Sequence, residues 1–492
     1  MKRRFFYSLV FFLLFGIKAF PSFEFNERLQ KAYQQIIRFK FAEGKRLLDE
    51  EKQLNPSNQL SILYYNYIDF LRAFISEEKK DFDVFSSNAS KRLDELKDES
   101  SPFSLYSRAE IMLQEAMLRI KFREFVPAAW EIRKAYKIIE KNSAIYPTFP
   151  LNKKNSSFLH VIVGAVPENY RSLVKLVGME GTIVQGTDEL TTLLTAIDNS
   201  IYKVYREEIL FYLSSVRNSF SRSESSSSAV LEMMKPLCKQ SILIRYCYSN
   251  LMMKIGRNDE ALQSLVDTGS SAGTFPFYFI SYKIGLAKLR KLDFSAEKDF
   301  QNFIVHFHGI NYLRSACQNL AWIYLLKGDQ KKYGDYINLC KRMGNEYVDE
   351  DKDATNEATG GEVPNLLLLR ARLLFDGGYY QQSLAVIAGK ASDNFPRFKD
   401  QLEVTYRFAR ILHKLNQTDK AIMYFEQTLK NGASSTYYFA ANSALLLGII
   451  YEEKNDFENA KIYYTKCLSL RNHEYQNSID QKAHAGLERV SK

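Results

Sequence analysis

The sequence predicts an all-α fold: a helical-repeat solenoid of antiparallel helix pairs with an irregular helical middle segment. Three observations carry that expectation. Turn-forming residues are scarce, since 492 residues contain 22 Gly and 11 Pro, too few for an all-β chain that turns roughly every 8–12 residues. Apolar residues recur many times at helical spacing, in paired runs joined by a short turn. The 31 Tyr and 35 Phe, against 2 Trp, supply flat apolar mass to pack between stacked helices. A hydrophobic share of 46% with 25% charged residues excludes a disordered chain.

Residues 1–19 read as a signal peptide. Lys2, Arg3 and Arg4 precede the apolar run Phe5–Ile17, which only Ser8 and Gly16 interrupt. A bilayer-spanning helix needs roughly 17–25 apolar residues, so this shorter run has the form of a secretory signal. Ala19 offers the cleavage point and Ser22 an alternative; an uncleaved anchor is the competing reading. Losing Lys2, Arg3, Arg4 and Lys18 lowers the net charge from +10 to +6. That balance argues against a nucleic-acid protein with a concentrated basic stripe. No Cys closely follows the apolar run, and no later stretch reaches spanning length. The mature chain is therefore expected to be exported without an integral span, with peripheral membrane association left open.

Residues 20–150 carry the first helix pairs, marked by Ala32, Phe41, Gly44, Leu48 and Pro56, then by Ala116, Phe125, Ala128, Ile132 and Ala135. Pro127 suits a first helical turn. Residues 151–235 differ: Gly164, Pro167, Gly178, Gly181 and Gly186 concentrate helix punctuation in a Gly-poor chain. Close helix crossings and short turns explain these glycines, and a ligand-cradling loop is the sharper alternative. Arg217–Ser228, dominated by Ser, reads as a soft segment.

Residues 236–347 resume the pattern with Tyr248, Met252, Ala261 and Leu265, then Gly285, Ala296, Phe300 and Phe303, then Cys317, Leu320, Ala321, Tyr324, Ile337 and Cys340. Residues 348–363 take in most of the acidic insertion Asn345–Glu362, whose acids are Glu346, Asp349, Glu350, Asp351, Asp353 and Glu357, and read as a solvated, flexible loop. Residues 364–492 hold the clearest copies. Ala371, Leu374, Tyr380, Ser383 and Ile387 mark one, and Phe408, Ala409, Leu412, Ala421 and Phe425 the next. In the last, Gly448 admits close approach of Phe457, Ala460, Tyr464 and Cys467, Tyr451 fills the space beside it, and Asn455–Asp456 makes the turn.

These spacings resemble the tetratricopeptide repeat, whose roughly 34-residue unit carries small or large apolar residues at positions 4, 7, 8, 11, 20, 24 and 27. Tyr333 stands where that pattern usually has a small residue. The middle stretch, from Val163-Gly164-Ala165-Val166-Pro167 to Gln185-Gly186, resembles a scaffold segment of the tetratricopeptide-39 and mitochondrial outer-membrane inclusion-clearance family. The resemblance implies a solenoid whose concave face is lined by first helices. Its groove-facing positions transfer to Tyr246, Asn250 and Lys254; Gln318 and Trp322; Asn365 and Arg372; and Tyr406, Arg410, His413 and Lys414. Aromatic, amide and cationic groups together suit an extended peptide or an acidic terminus; the alternative is that neighbouring elements cover them. The resemblance also places Cys317 near Cys340.

Catalytic and metal motifs are weak. Gly269-Ser270-Ser271-Ala272-Gly273 spells a nucleophile elbow, which needs a strand before it and a helix after it; here it joins two helix pairs. His306 and His308 are two residues apart and point to opposite sides of a helix. Asp349-x-Asp351-x-Asp353 begins like a calcium loop, yet Ala354 stands where Gly is needed and Gly360 where Glu is needed. Five cysteines are too sparse for a disulfide framework. No cofactor is implied. The leading expectation is a non-enzymatic protein-binding scaffold of a bacterial envelope, periplasmic or outer-membrane-associated, whose partner is another envelope or secretion component. A glycan-capturing outer-membrane protein is the second reading, and an enzyme with its site in residues 151–209 the third.

Overall fold

The computed structural model describes residues 22–96, 99, 101–166, 178–220, 225–267 and 272–491. The leader segment, Pro167 and Ser271 lie outside the described residues. Within them the chain forms 24 α-helices and no strand. The N-terminal pairs are α1 (Glu27–Ile37) with α2 (Phe41–Leu54), α3 (Leu60–Ser76) with α4 (Lys79–Glu95), and α5 (Pro102–Lys121) with α6 (Phe125–Ile145). The middle holds α7 (Pro150–Ala165), α8 (Ile183–Ile197), α9 (Arg206–Phe220) and α10 (Ser225–Met234). Pairing resumes with α11 (Ile242–Lys254) and α12 (Asn258–Val266), α13 (Phe279–Arg290) and α14 (Ala296–His306), and α15 (Leu313–Leu326) and α16 (Gln330–Cys340). After α17 (Asp349–Gly360) come α18 (Leu366–Asp376) with α19 (Tyr380–Ile387), α20 (Phe398–Lys414) with α21 (Thr418–Gly432), α22 (Phe439–Glu453) with α23 (Phe457–Ser469), and α24 (Gln476–Val490).

The pairs share one turn. In nine hairpins a single residue takes the left-handed conformation: Phe39, Glu77, Arg123, Gly256, Leu292, Gly328, Gly378, Asn416 and Asn455. One left-handed residue reverses the chain after a helix while satisfying its last carbonyls. Asp329 and Asp456 then cap the second helices, accepting from the backbone N–H of Lys332 and Asn459. Small residues sit at the crossings: a Cβ on Gly44 would lie 2.4 Å from Ile36, and one on Gly285 3.0 Å from the Phe300 ring. Gly448 faces the Tyr464 ring at 2.6 Å. It is therefore Tyr464, rather than Tyr451, that fills the space over this glycine; Tyr451 stacks on Tyr463 instead, with centroids 5.4 Å apart.

Three of the four glycines of the middle stretch mark the crossing of α7 and α8, while Gly178 is a left-handed turn residue with open space around it. A Cβ on Gly164 would meet the backbone of Ile183 at 2.5 Å, on Gly181 that of His160 at 2.6 Å, and on Gly186 the carbonyl of Ser157 at 2.4 Å. The Ser-rich segment Arg217–Ser228 is more regular than its composition suggests, because α9 runs to Phe220 and α10 starts at Ser225.

Residues 348–363 are not a flexible loop. Asp349–Gly360 is helix α17, closed by Gly361 at φ 71°. Its acidic first turn (Asp349, Glu350, Asp351) favours the positive end of a helix dipole. Asp351, Ala354 and Ala358 share one buried face at helical spacing. The three aspartates of the calcium-like run go to different partners, Asp349 to Lys352, Asp351 to backbone N–H groups at the start of α15, and Asp353 to Arg372 and Tyr475.

Windings of the solenoid touch. Phe275 N donates to Phe39 O at 2.7 Å, Glu77 accepts from the backbone and side chain of Asn311 at 3.0 Å, and Gln481 donates to Ala165 O at 3.1 Å. At the N-terminal core, fully buried Lys154 lies 3.1 Å from Glu110 and 2.9 Å from Glu208. The hydroxyls of Tyr33, Tyr67 and Tyr212 donate to the same carboxylates at 2.7–2.8 Å. A charge set of this kind is tolerable in a core because every member has a partner.

Candidate functional site

The structure separates the predicted groove residues into three groups. Asn250, Lys254, Arg410 and Lys414 come together although 160 residues separate the first from Arg410. With Lys283, Arg290, Met253, Phe375, Glu350 and Asp376 they line one cavity of about 370 Å³ between α11, α13, α18 and α20. Tyr246 stands beside it, edge-on to Phe277 at 5.1 Å, in a second, mainly apolar cavity of about 310 Å³ that is rich in aromatic rings and shares Asn218 and Asn250 with the first.

Charge is the distinctive property of the first cavity. Five cations line it against two carboxylates, and among the described residues none of the five makes an ion pair. Lys254 is held by the carbonyls of Arg217, at 3.0 Å, and Asn218. Lys283 rests among the rings of Tyr246, Tyr282 and Tyr312, with centroids 5.7–5.9 Å from its Nζ. Arg410 lies over Phe375 at 4.2 Å and Tyr406 at 5.6 Å. Burial pushes the ammonium groups of Lys254 and Lys283 down to about 8; Lys482 adds repulsion at Lys254, while at Lys283 the nearby Glu350 carboxylate opposes the shift and Arg290 adds to it. Asn250 Oδ1 is buried there without a hydrogen-bond partner. An incoming carboxylate relieves the mutual repulsion, and a donor travelling with it satisfies Asn250.

Gln318, Trp322 and Arg372 form the second group, and helix α17 covers them. Glu357 accepts from Gln318 Nε2 at 2.8 Å, Trp322 Nε1 at 3.0 Å and Tyr333 Oη at 2.9 Å. Tyr333 occupies its unusual position because its hydroxyl reaches this carboxylate. Arg372, 5.0 Å over the Trp322 ring, donates to Asp353 at 3.0 Å. The rest stand apart. Asn365 caps α18, accepting from the backbone N–H of Leu367 and Leu368. Tyr406 is buried and bonded by Asn442. His413 Nε2 is 3.8 Å from Glu453.

Sequence reasoning missed Lys283 and Arg290, the two cations that α13 contributes. The only signal was the basic content of the degenerate copy around Gly285, too weakly patterned to set a groove register. Cys317 and Cys340 do meet: the Cys340 thiol is raised by its contact with Cys317 and by burial, donates to the carbonyls of Arg314 and Tyr336, and both thiols are free. No described helix is long and apolar enough to cross a membrane.

The tetratricopeptide-repeat family model matches residues 400–473, the stretch from α20 to just past the end of α23. No curated protein sequence matches the chain. Among solved structures, the APC/C hetero-tetramer Cut9–Hcn1 is similar at 9% identity over 94% of this chain and 95% of that one, with a TM-score of 0.27. Naa15/Naa10 bound to HypK-THB is similar at 12% identity over 94% and 79%, with a TM-score of 0.21. Residues 400–473 therefore carry tetratricopeptide repeats, and helix pairs joined by the same recurring turn extend a helical-repeat fold of that kind through the other described residues.

Proposed function

We propose that this chain is a non-enzymatic scaffold that binds an extended, carboxylate-bearing segment of a partner protein at the cationic cavity. A repeat fold of this kind suggests protein–protein interaction. The finer reading rests on one observation, the convergence of five cations without ion-pair partners on a cavity that also holds the unpaired Asn250 Oδ1. The adjoining aromatic cavity, with Phe70, Phe74 and Tyr246 in its wall, suits an apolar side chain of the same segment. The N-terminal apolar run supports export, which makes an envelope or secretion component the expected partner.

Affinity capture from native envelope fractions tests the reading. The wild-type chain should recover a protein that Lys283→Glu/Arg410→Glu loses, with both chains melting at the same temperature. Identical sets of captured proteins would remove the cavity from the account. Binding should also weaken as pH rises through about 8, because Lys254 and Lys283 then lose their charge.

A further inference from the structure

Helix α17 is gripped in the manner of a ligand. Its apolar burial is slight, two alanines (Ala354 and Ala358), and the rest of DEDKDATNEATG is polar or glycine. Carboxylates do the docking on two adjacent flanks. Asp351 accepts from the backbone N–H of Tyr312 at 2.5 Å and Ser315 at 2.9 Å, at the start of α15. Asp353 is held by Arg372 at 3.0 Å and Tyr475 at 2.7 Å, the latter 122 residues away in the chain. Glu357 takes the donors of Gln318, Trp322 and Tyr333. Of these three carboxylates only Asp353 makes an ion pair; Arg314 lies near Asp351 without pairing with it and donates instead to Thr355 at 2.7 Å, and the hydrogen bonds that Asp351 and Glu357 accept all come from neutral donors, an incomplete exchange for a charge. Both ends of the helix run into non-helical chain, residues 341–348 before it and 361–365 after it.

We propose that the groove formed by Gln318, Trp322, Tyr333, Arg372 and Tyr475 is a receptor for an acidic helix. Its present occupant is the chain's own Asp349–Gly360, and a partner protein's helix takes its place. The occupant defines what the partner must carry: carboxylates at the positions of Asp351, Asp353 and Glu357, with small residues at those of Ala354 and Ala358, which are buried against α15 and α16. None of these five receptor side chains lines the cationic cavity, whose wall α17 reaches through Glu350. Tethering gives the internal helix an effective concentration on the order of millimolar, so a helix in trans competes only where its own contacts are better or the internal ones are weakened.

The test uses a fluorescent peptide of residues 347–362 and the full chain. Asp353→Asn/Glu357→Gln loosens the internal helix while leaving the receptor side chains in place. The peptide should bind this variant at least tenfold more tightly than wild type. Adding Arg372→Gln/Tyr475→Phe should abolish the gain, and adding Lys283→Gln/Arg410→Gln should leave it intact. Equal binding to the loosened and wild-type chains overturns the proposal. So does loss of the gain with the Lys283 and Arg410 changes, which would place the peptide in the cationic cavity. Hydrogen exchange of the unaltered chain provides a check independent of the variants. Amides of residues 349–360 should exchange at least tenfold faster than those of residues 316–326 beneath them, and equal protection would show a fixed structural helix.

Discussion

Lys154 has no contact with solvent and sits between Glu110 and Glu208. Replacing it with Met would leave two carboxylates facing each other in the N-terminal core. Breaking a buried pair from one side costs about 3–5 kcal/mol, so Lys154→Met should lower the urea midpoint steeply. The exposed Lys414→Met should stay within about 0.5 kcal/mol of wild type. Nothing in the sequence pointed to this cluster, because residues 110, 154 and 208 share no spacing and only the fold brings them together. The glycines were more legible. Gly186→Ala forces its Cβ onto the Ser157 carbonyl at 2.4 Å, and overpacking of that kind costs about 1–3 kcal/mol. A methyl group added at Gly334 would meet nothing within 4 Å, and Gly334→Ala in the middle of α16 should raise stability by about 0.5–1 kcal/mol. Thermal melts of the two variants should therefore move in opposite directions.

Helix α17 shows where element-level reading failed. A run of acids ending in two glycines has the composition of a loop, and composition outweighed the acidic first turn and the Ala354/Ala358 spacing. Docking supplied what composition lacked. Burial raises Asp351 to about 7 and also raises Glu357, whereas Arg372 holds Asp353 low. A carboxyl whose docked value lies above its free value of about 3.9 favours docking fully below that free value. The contribution is lost as pH rises toward 7. Hydrogen exchange of residues 349–360, corrected for intrinsic rates, should accordingly show greater protection at pH 5 than at pH 8. The helix pairs themselves were legible because core positions such as Ala421, Phe425, Ala460 and Tyr464 repeat at helical spacing. Their shared turn was not, since Gly or Asn occupies only five of the nine left-handed positions and Phe39, Glu77, Arg123 and Leu292 give no local signal.

Across the whole molecule, one-dimensional repetition predicted the solenoid but not its closure. Spacing within a repeat says nothing about which windings touch, so the contacts of Glu77 with Asn311 and of Asp353 with Tyr475 appear only in three dimensions. The same closure sorted the predicted groove. It carried Asn250 and Lys254 to Arg410 and Lys414, added Lys283 and Arg290, and placed Gln318, Trp322 and Arg372 beneath an acidic helix. An acidic segment is expected to bind at the cationic cavity. Fluorescence anisotropy of a labelled ten-residue Asp/Glu-rich peptide against the full chain at pH 7 tests it most directly, alongside a Lys-rich peptide of equal length. The acidic peptide should bind, weaken at least tenfold in Lys283→Gln/Arg410→Gln, and weaken again as salt is raised. Binding of both peptides alike, or binding indifferent to those two substitutions, would contradict that expectation.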